Sequence, residues 1–181
     1  MNKIIMNTNK YLLVVLLFLP TLIATFIPFE VFTPKVVILL SVIQLLLFMF
    51  WIFLVGRILF DKMVHVNKVL NYKLFKLFLG IILVTVIVIL INAFFDIKKN
   101  NTLISFIFLI LNIVSFFGII YLVYFVSKAL SSVARTAYNG QPISVVKTFL
   151  QFVFPPLGVF ITQNKLNKIM LEDNAGIKNN G

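Results

Sequence analysis

Few residues in this sequence could carry out chemistry, and the most conspicuous are Asp61 and His65. Their spacing of four would place them on one face of a helix, where a carboxylate and an imidazole could share a metal ion. His65 is the only histidine and there is no cysteine, so a site with three or four protein ligands lacks donors here. We interpret His65 as a solvated side chain and predict no metal and no cofactor.

Motifs of catalysis are missing as well. The sequence contains no HExxH, no GxSxG and no P-loop spacing, and without cysteine there is no thiol nucleophile. Glu30 and Asp96 lie at the ends of apolar stretches, where loop residues are more typical than a proton or cation site. The sequence therefore predicts no catalytic residues and a protein that is not an enzyme.

Two neutral polar residues, Gln44 and Asn112, lie inside long apolar stretches. At a rise of about 1.5 Å per residue, both should be about 12 to 14 Å from the same membrane surface. We predict a side-chain hydrogen bond between them, worth about 0.6 to 2 kcal/mol. Structural contact within one chain, contact with another copy and the lining of a solute path all remain open. Thr85, Ser115 and Gly118 are small enough to let helices approach.

A second candidate site is a docking site near the C-terminus, where a predicted helix break is followed by polar residues. Its members are Pro155, Pro156, Gly158, Gln163, Lys165 and Asn167. A break inside an apolar run frees backbone groups, which then need partners from protein, water or a ligand. The alternative is a helix break that is anchored by solvated polar residues.

The elements that position these residues follow from composition. Hydrophobic residues make up 61% of the chain and charged residues 12%, whereas soluble domains have about 45 to 50% and 25%. Four uncharged stretches reach the roughly 20 residues that a helix needs to cross a bilayer: 11–29, 36–56, 77–95 and 103–126. They lack period-two alternation, so we predict an all-α polytopic membrane protein with four transmembrane helices.

Lys and Arg set the predicted orientation because they resist translocation. With the N-terminus in the cytoplasm, only Lys35, Lys98 and Lys99 fall outside, and the other 13 of the 16 basic residues fall inside. The net charge of +11 is then a topology signal and does not require nucleic acid. A cleaved signal peptide is the alternative for the first stretch, and it would leave the remaining orientation unchanged.

Two further segments are not predicted to cross. Residues 57–76 are amphipathic and either lie along the inner headgroups or extend the second and third helices into the cytoplasm. Residues 149–161 are too few to span, so we predict a short re-entrant or interfacial helix, followed by a cytoplasmic tail over 162–181 that frays from Asn174. Aromatic residues near inner boundaries, including Tyr11 and Trp51, fit an interfacial belt.

The C-terminal stretch Phe152 to Asn167, together with Ser127-Lys-Ala-Leu, resembles a family of small membrane proteins from Bacteroidetes. The signature of that family is an aromatic-rich run, Pro-Ile-Gly-hydrophobic-Trp, and then Gln-Pro-Arg-Ile-Asn. Here Phe160 stands for the tryptophan, Asn164 for the second proline and Lys165 for the arginine. The resemblance covers about 45 residues and implies a bacterial inner membrane, but it implies no activity.

These observations favour a non-enzymatic accessory or interaction protein of the bacterial cytoplasmic membrane. Its expected partners are anionic lipid of the inner leaflet and a membrane protein or a second copy of the chain, and nucleic acid is not expected. The alternative is a small-solute or ion carrier or channel that works as an oligomer. A membrane enzyme acting on lipid is a weaker third hypothesis, because the residues for it are missing.

Overall fold

The computed structural model describes residues 9–26, 34–63, 70–95, 102–137, 144–152 and 155–179, with side chains except at 135–137 and 169–179. These residues form six helices and no strand. In chain order they are α1 (Lys10–Phe26), α2 (Pro34–Met63), α3 (Tyr72–Phe95), α4 (Thr102–Ala137), α5 (Val145–Gln151) and α6 (Pro155–Asn179). The predicted all-α class is confirmed for this part of the chain. Glu30, His65 and Asp96 lie outside the described residues.

Three of the helices, α2, α3 and α4, are long and apolar enough to cross a membrane. Only 22% of the most apolar window of α2 and of α3, and 11% of that of α4, is buried within the protein. So much exposed apolar surface is typical of helices that acyl chains surround. In α1, 17 residues are helical, about 26 Å, and the predicted span over 11–29 continues outside the described residues.

Helices α2 and α3 extend beyond the predicted apolar spans into 57–76, which agrees with one of the two interpretations of that segment. Helix α2 continues past Gly56 to Met63, and α3 already begins at Tyr72, five residues before Leu77. Helix α1 continues through Pro20. Proline removes one backbone donor, but the rest of this apolar segment still has to satisfy its hydrogen bonds helically.

The element predicted over 149–161 is two helices in the structure. Helix α5 ends at Gln151, and α6 begins at Pro155 and runs to Asn179, through the tail that we expected to fray. Pro155 and Pro156 therefore start a helix rather than break one. The first helical turn has unpaired N–H groups in any case, so proline costs little there.

Contacts divide the chain into two compact units. We call Met1–Leu16, Leu54–Asn71 and Val123–Gly181 the basic unit, and Leu17–Phe53 and Tyr72–Leu122 the apolar unit. In the basic unit, the fully buried side chains include those of Leu59, Phe125, Leu130, Val159 and Leu166. In the apolar unit they include Met49, Ile52, Phe75 and Ile82.

Candidate functional site

Gly158 positions α6 against the end of α5 within the basic unit. A Cβ atom added at Gly158 would lie 2.9 Å from Phe152 Cδ1, 3.0 Å from Phe152 Cα and 3.1 Å from the Gln151 carbonyl oxygen. Two of these atoms belong to the backbone and have little freedom to move. Gly158 is thus needed for close approach, and not for the helix break that the sequence predicts.

The start of α5 is fixed by Ser144. The Ser144 hydroxyl oxygen accepts a hydrogen bond of 3.2 Å from the Lys147 backbone N–H, which satisfies one of the free donors of the first turn. The Thr148 hydroxyl donates to the Ser144 carbonyl oxygen at 3.1 Å. A short helix of seven residues needs such local contacts because it has few internal hydrogen bonds.

An open groove of about 520 Å³ lies where α5 and α6 pack together. We call it the α5–α6 groove, and its lining residues are Ser144, Val146, Lys147, Leu150, Gln151, Leu157 and Ile161. The lining is mainly apolar, with one cationic side chain. The volume is in the range of sites that hold small organic molecules.

The predicted docking residues do not form one surface. Pro155 and Pro156 are exposed in the first turn of α6. Gln163 is fully buried, and its amide donates to Asn167 Oδ1 at 3.0 Å, one turn further along the same helix. Lys165, the one cation of the predicted set, is half-buried and lies on α6 one turn after Ile161, which lines the α5–α6 groove.

The pKa of Lys165 is shifted by its surroundings. Burial lowers its pKa below the usual lysine value, and the positive charge of Lys147 lowers it further. Lys147 lies on α5 and Lys165 on α6, so packing of the two helices brings like charges within electrostatic range. The region therefore has an excess of positive charge.

A second polar cluster in the basic unit joins α1 to α6. Lys10 Nζ lies 4.8 Å from the centre of the Phe160 ring and 5.4 Å from that of Tyr11, and it donates to Asn164 Oδ1 at 3.4 Å. The Tyr11 and Phe160 rings are 5.4 Å apart. Sequence reasoning missed this cluster because 154 positions separate Lys10 from Asn164. The sequence shows the aromatic residues Tyr11 and Phe160, but it does not show that Lys10 contacts both of them.

The apolar unit does not bring Gln44 and Asn112 together as the sequence predicts. The Thr21 hydroxyl donates to Gln44 Oε1, which ties α1 to α2. Asn112 is exposed, and its amide donates to the Phe108 carbonyl oxygen of its own helix at 2.7 Å. Equal depth fixes the position along the membrane normal only, and the two side chains have different directions around their helices.

A polar contact between α3 and α4 involves Thr85 and Ser115, whose hydroxyl oxygens are 2.7 Å apart in a buried position. The Thr85 hydroxyl also donates to the Ile81 carbonyl oxygen at 3.0 Å. With one proton per hydroxyl, the arrangement that satisfies both groups has Ser115 donating to Thr85. Nearby, a Cβ atom at Gly118 would lie 3.0 Å from Phe78 Cδ1, so the three small residues do permit close approach.

Among the described residues of the basic unit, three buried polar atoms have no hydrogen-bond partner: Ser127 Oγ, Gln151 Oε1 and Thr162 Oγ1. Asp61 is exposed, and the described residues contain no group of three His, Cys, Asp or Glu side chains that could hold a metal ion. Trp51, expected at an interface, is buried and stacks on Phe48 with 6.1 Å between ring centres.

The fold and the exposed apolar helices define an α-helical membrane protein. No protein family, curated protein sequence or solved structure matches the chain.

Proposed function

We propose that this chain is a non-enzymatic interaction protein of the bacterial cytoplasmic membrane. It crosses the membrane four times with both termini in the cytoplasm, and its basic unit binds a membrane-protein partner and anionic lipid on that side. The single observation that supports this most is the distribution of charge between the two units.

The basic unit contains 11 of the 16 Lys and Arg residues of the chain. Among its described side chains, seven are cationic and Asp61 is the one acid. Such an excess attracts acidic protein surfaces and anionic headgroups, by about 1 kcal/mol for each basic residue near an anionic leaflet. Binding, rather than catalysis, is the function that this arrangement supports best.

The topology is tested with reporter fusions after residues 33, 67, 99 and 175. We expect them to read outside, inside, outside and inside. If the first fusion read inside, α1 would not cross, and the four-span arrangement would be wrong.

The binding function is tested by copurification in mild detergent with quantitative mass spectrometry. We compare two double variants. One combines Lys147→Gln and Lys165→Gln in the basic unit, and the other combines Lys73→Gln and Lys76→Gln in the apolar unit. Both double variants lose two positive charges, so net charge is matched. We expect a reproducible partner of the unchanged protein to be depleted in the first variant and retained in the second. Equal recovery in all three proteins would contradict the proposal.

A carrier or channel is the second candidate, and the three unpartnered buried atoms at Ser127, Gln151 and Thr162 favour it. Such groups need water or a polar solute. Purified protein in liposomes should then pass a solute, and Thr162→Val should reduce the flux while leaving the protein folded. Tight liposomes across a panel of ions and small solutes would exclude this function.

A further inference from the structure

The α5–α6 groove combines an apolar wall with a cationic end. Val146, Leu150 and Leu157 line it and are 66%, 56% and 56% exposed. Side chains this apolar and this exposed, contiguous along one groove, are typical of a binding surface. Their shape and chemistry suit a hydrocarbon chain.

The cationic end follows from helical spacing on α6. Leu157, Ile161, Lys165 and Lys168 follow one another at intervals of four, four and three residues and so share one face of the helix. The first two line the groove, and the lysines come one and two turns later. Lys147, from α5, lines the same groove.

At this end of the groove, α5 and α6 bring the positive charges of Lys147 and Lys165 together. The described side chains of α5 and α6 include no acid. Burial lowers the pKa of Lys165, and the nearby positive charge of Lys147 lowers it further. An anion between them would remove this repulsion.

We propose that the α5–α6 groove binds one anionic phospholipid, with an acyl chain along Val146, Leu150, Leu157 and Ile161 and its phosphate at Lys147 and Lys165. This inference deepens the proposed function, on which it rests for the position of the basic unit at the cytoplasmic membrane surface. A soluble phosphate compound would use the lysines only, and an acidic peptide would not use the apolar wall.

The test is native mass spectrometry of the full chain in detergent, titrated with phosphatidylglycerol or with phosphatidylcholine of the same acyl chains. We expect one phosphatidylglycerol to bind in preference. The double variant Lys147→Gln, Lys165→Gln should bind phosphatidylglycerol about tenfold or more weakly, because it loses charge-assisted contacts. Affinity for phosphatidylcholine should not change.

Three control proteins separate charge from folding. Lys147→Arg with Lys165→Arg keeps both charges and should keep the preference. Lys73→Gln with Lys76→Gln matches the net charge and should also keep it. Leu150→Ser should weaken the binding of both lipids, because it removes part of the apolar wall.

Several outcomes would overturn the inference. They are equal affinity for the two lipids, unchanged affinity in the Lys147→Gln, Lys165→Gln protein, or competition by glycerol 3-phosphate at the concentration of the lipid itself, which would indicate a soluble ligand. Partner copurification is measured separately. If the unchanged protein showed no lipid preference while copurification stayed charge-dependent, the groove alone would be rejected. Lipid preference without charge-dependent copurification would reject the interaction function alone.

Discussion

In the apolar unit, the buried hydroxyls of Thr85 and Ser115 bond to each other, whereas in the basic unit the buried atoms Ser127 Oγ and Thr162 Oγ1 have no partner. Among acyl chains, an unpaired hydroxyl has no alternative acceptor or donor, so pairing is strongly favoured. A unit rich in lysine can draw on water or an anion. We expect the two units to have different surroundings.

Apolar side chains show the same contrast. Phe106, Phe116 and Phe117 of the apolar unit are about 60% exposed, while Phe125 of the basic unit is fully buried. Among the described side chains, every exposed phenylalanine belongs to the apolar unit, although Phe75 of that unit is buried. We expect lipid around the apolar unit, and conventional hydrophobic packing to stabilise the basic unit.

The largest expected effect comes from the two glycines Gly158 and Gly80. Gly158→Ala in the basic unit should lower the free energy of unfolding by about 1 to 3 kcal/mol, because its Cβ meets backbone atoms. A Cβ atom added at Gly80 in the apolar unit has no neighbouring atom within 4 Å. Gly80→Ala should therefore raise the free energy of unfolding by up to about 1 kcal/mol, because alanine has the higher helix propensity. Unfolding by SDS in mixed micelles, followed by circular dichroism, measures both. Shifts of the same sign would remove the packing distinction.

A second pair of changes compares the hydroxyls directly. Thr85→Val should destabilise the protein by about 1 kcal/mol, and a double-mutant cycle with Ser115→Ala should give a coupling of about 0.6 to 1.7 kcal/mol. Thr162→Val has nearly the same shape and should stabilise the protein by about 1 kcal/mol, because it removes an unpaired buried group. The free energy of unfolding is again the measurement. A destabilised Thr162→Val protein would indicate that water or a solute bonds there.

Cation–π contacts provide a third comparison. A cycle of Lys10→Met and Phe160→Leu should show a coupling of about 0.5 to 1 kcal/mol, since the ammonium lies 4.8 Å from the ring centre. The matched cycle in the apolar unit, Lys35→Met and Phe94→Leu, has a separation of 5.9 Å and should show less. The reverse order would argue against the α1–α6 cluster. Phe160→Trp should strengthen the contact, because tryptophan binds cations best.

The smallest effect concerns the charge of Lys165. Lys147→Gln should raise the pKa of Lys165 and leave it below the usual value, because burial remains the first cause. A pKa that is lowered in the folded state means that the unfolded chain binds more protons, so stability should increase as pH rises through the folded pKa towards the ordinary lysine value. NMR of ¹³C-methylated lysines gives the pKa. No change on Lys147→Gln would show that the two charges do not interact.

Sequence reasoning predicted the helical class and three of the apolar spans because length and hydrophobicity alone carry that information. It could not predict which polar residues meet. Gln44 and Asn112 have equal depth but bond to Thr21 and to the backbone at Phe108, and depth contains no information about direction around a helix.

The C-terminal region was harder still. Pro155 and Gly158 are breakers in most helices, yet here one starts α6 and the other permits contact with Phe152. A glycine needed for close approach and a glycine that ends a helix look alike in a sequence. Lys165 was predicted as a site residue, but its interaction with Lys147 required the packing of two helices.

Helix α4 has 36 residues and is about 54 Å long, well beyond the roughly 30 Å of a hydrocarbon core. Its uncharged stretch, 103–126, ends just before Lys128. The helix is therefore continuous across the inner membrane boundary, whether the bilayer is thicker or thinner than usual. Hydrophobic mismatch of a few ångströms can be met by sliding or tilting this rod without loss of any backbone hydrogen bond, so the protein should reconstitute in bilayers of different acyl length.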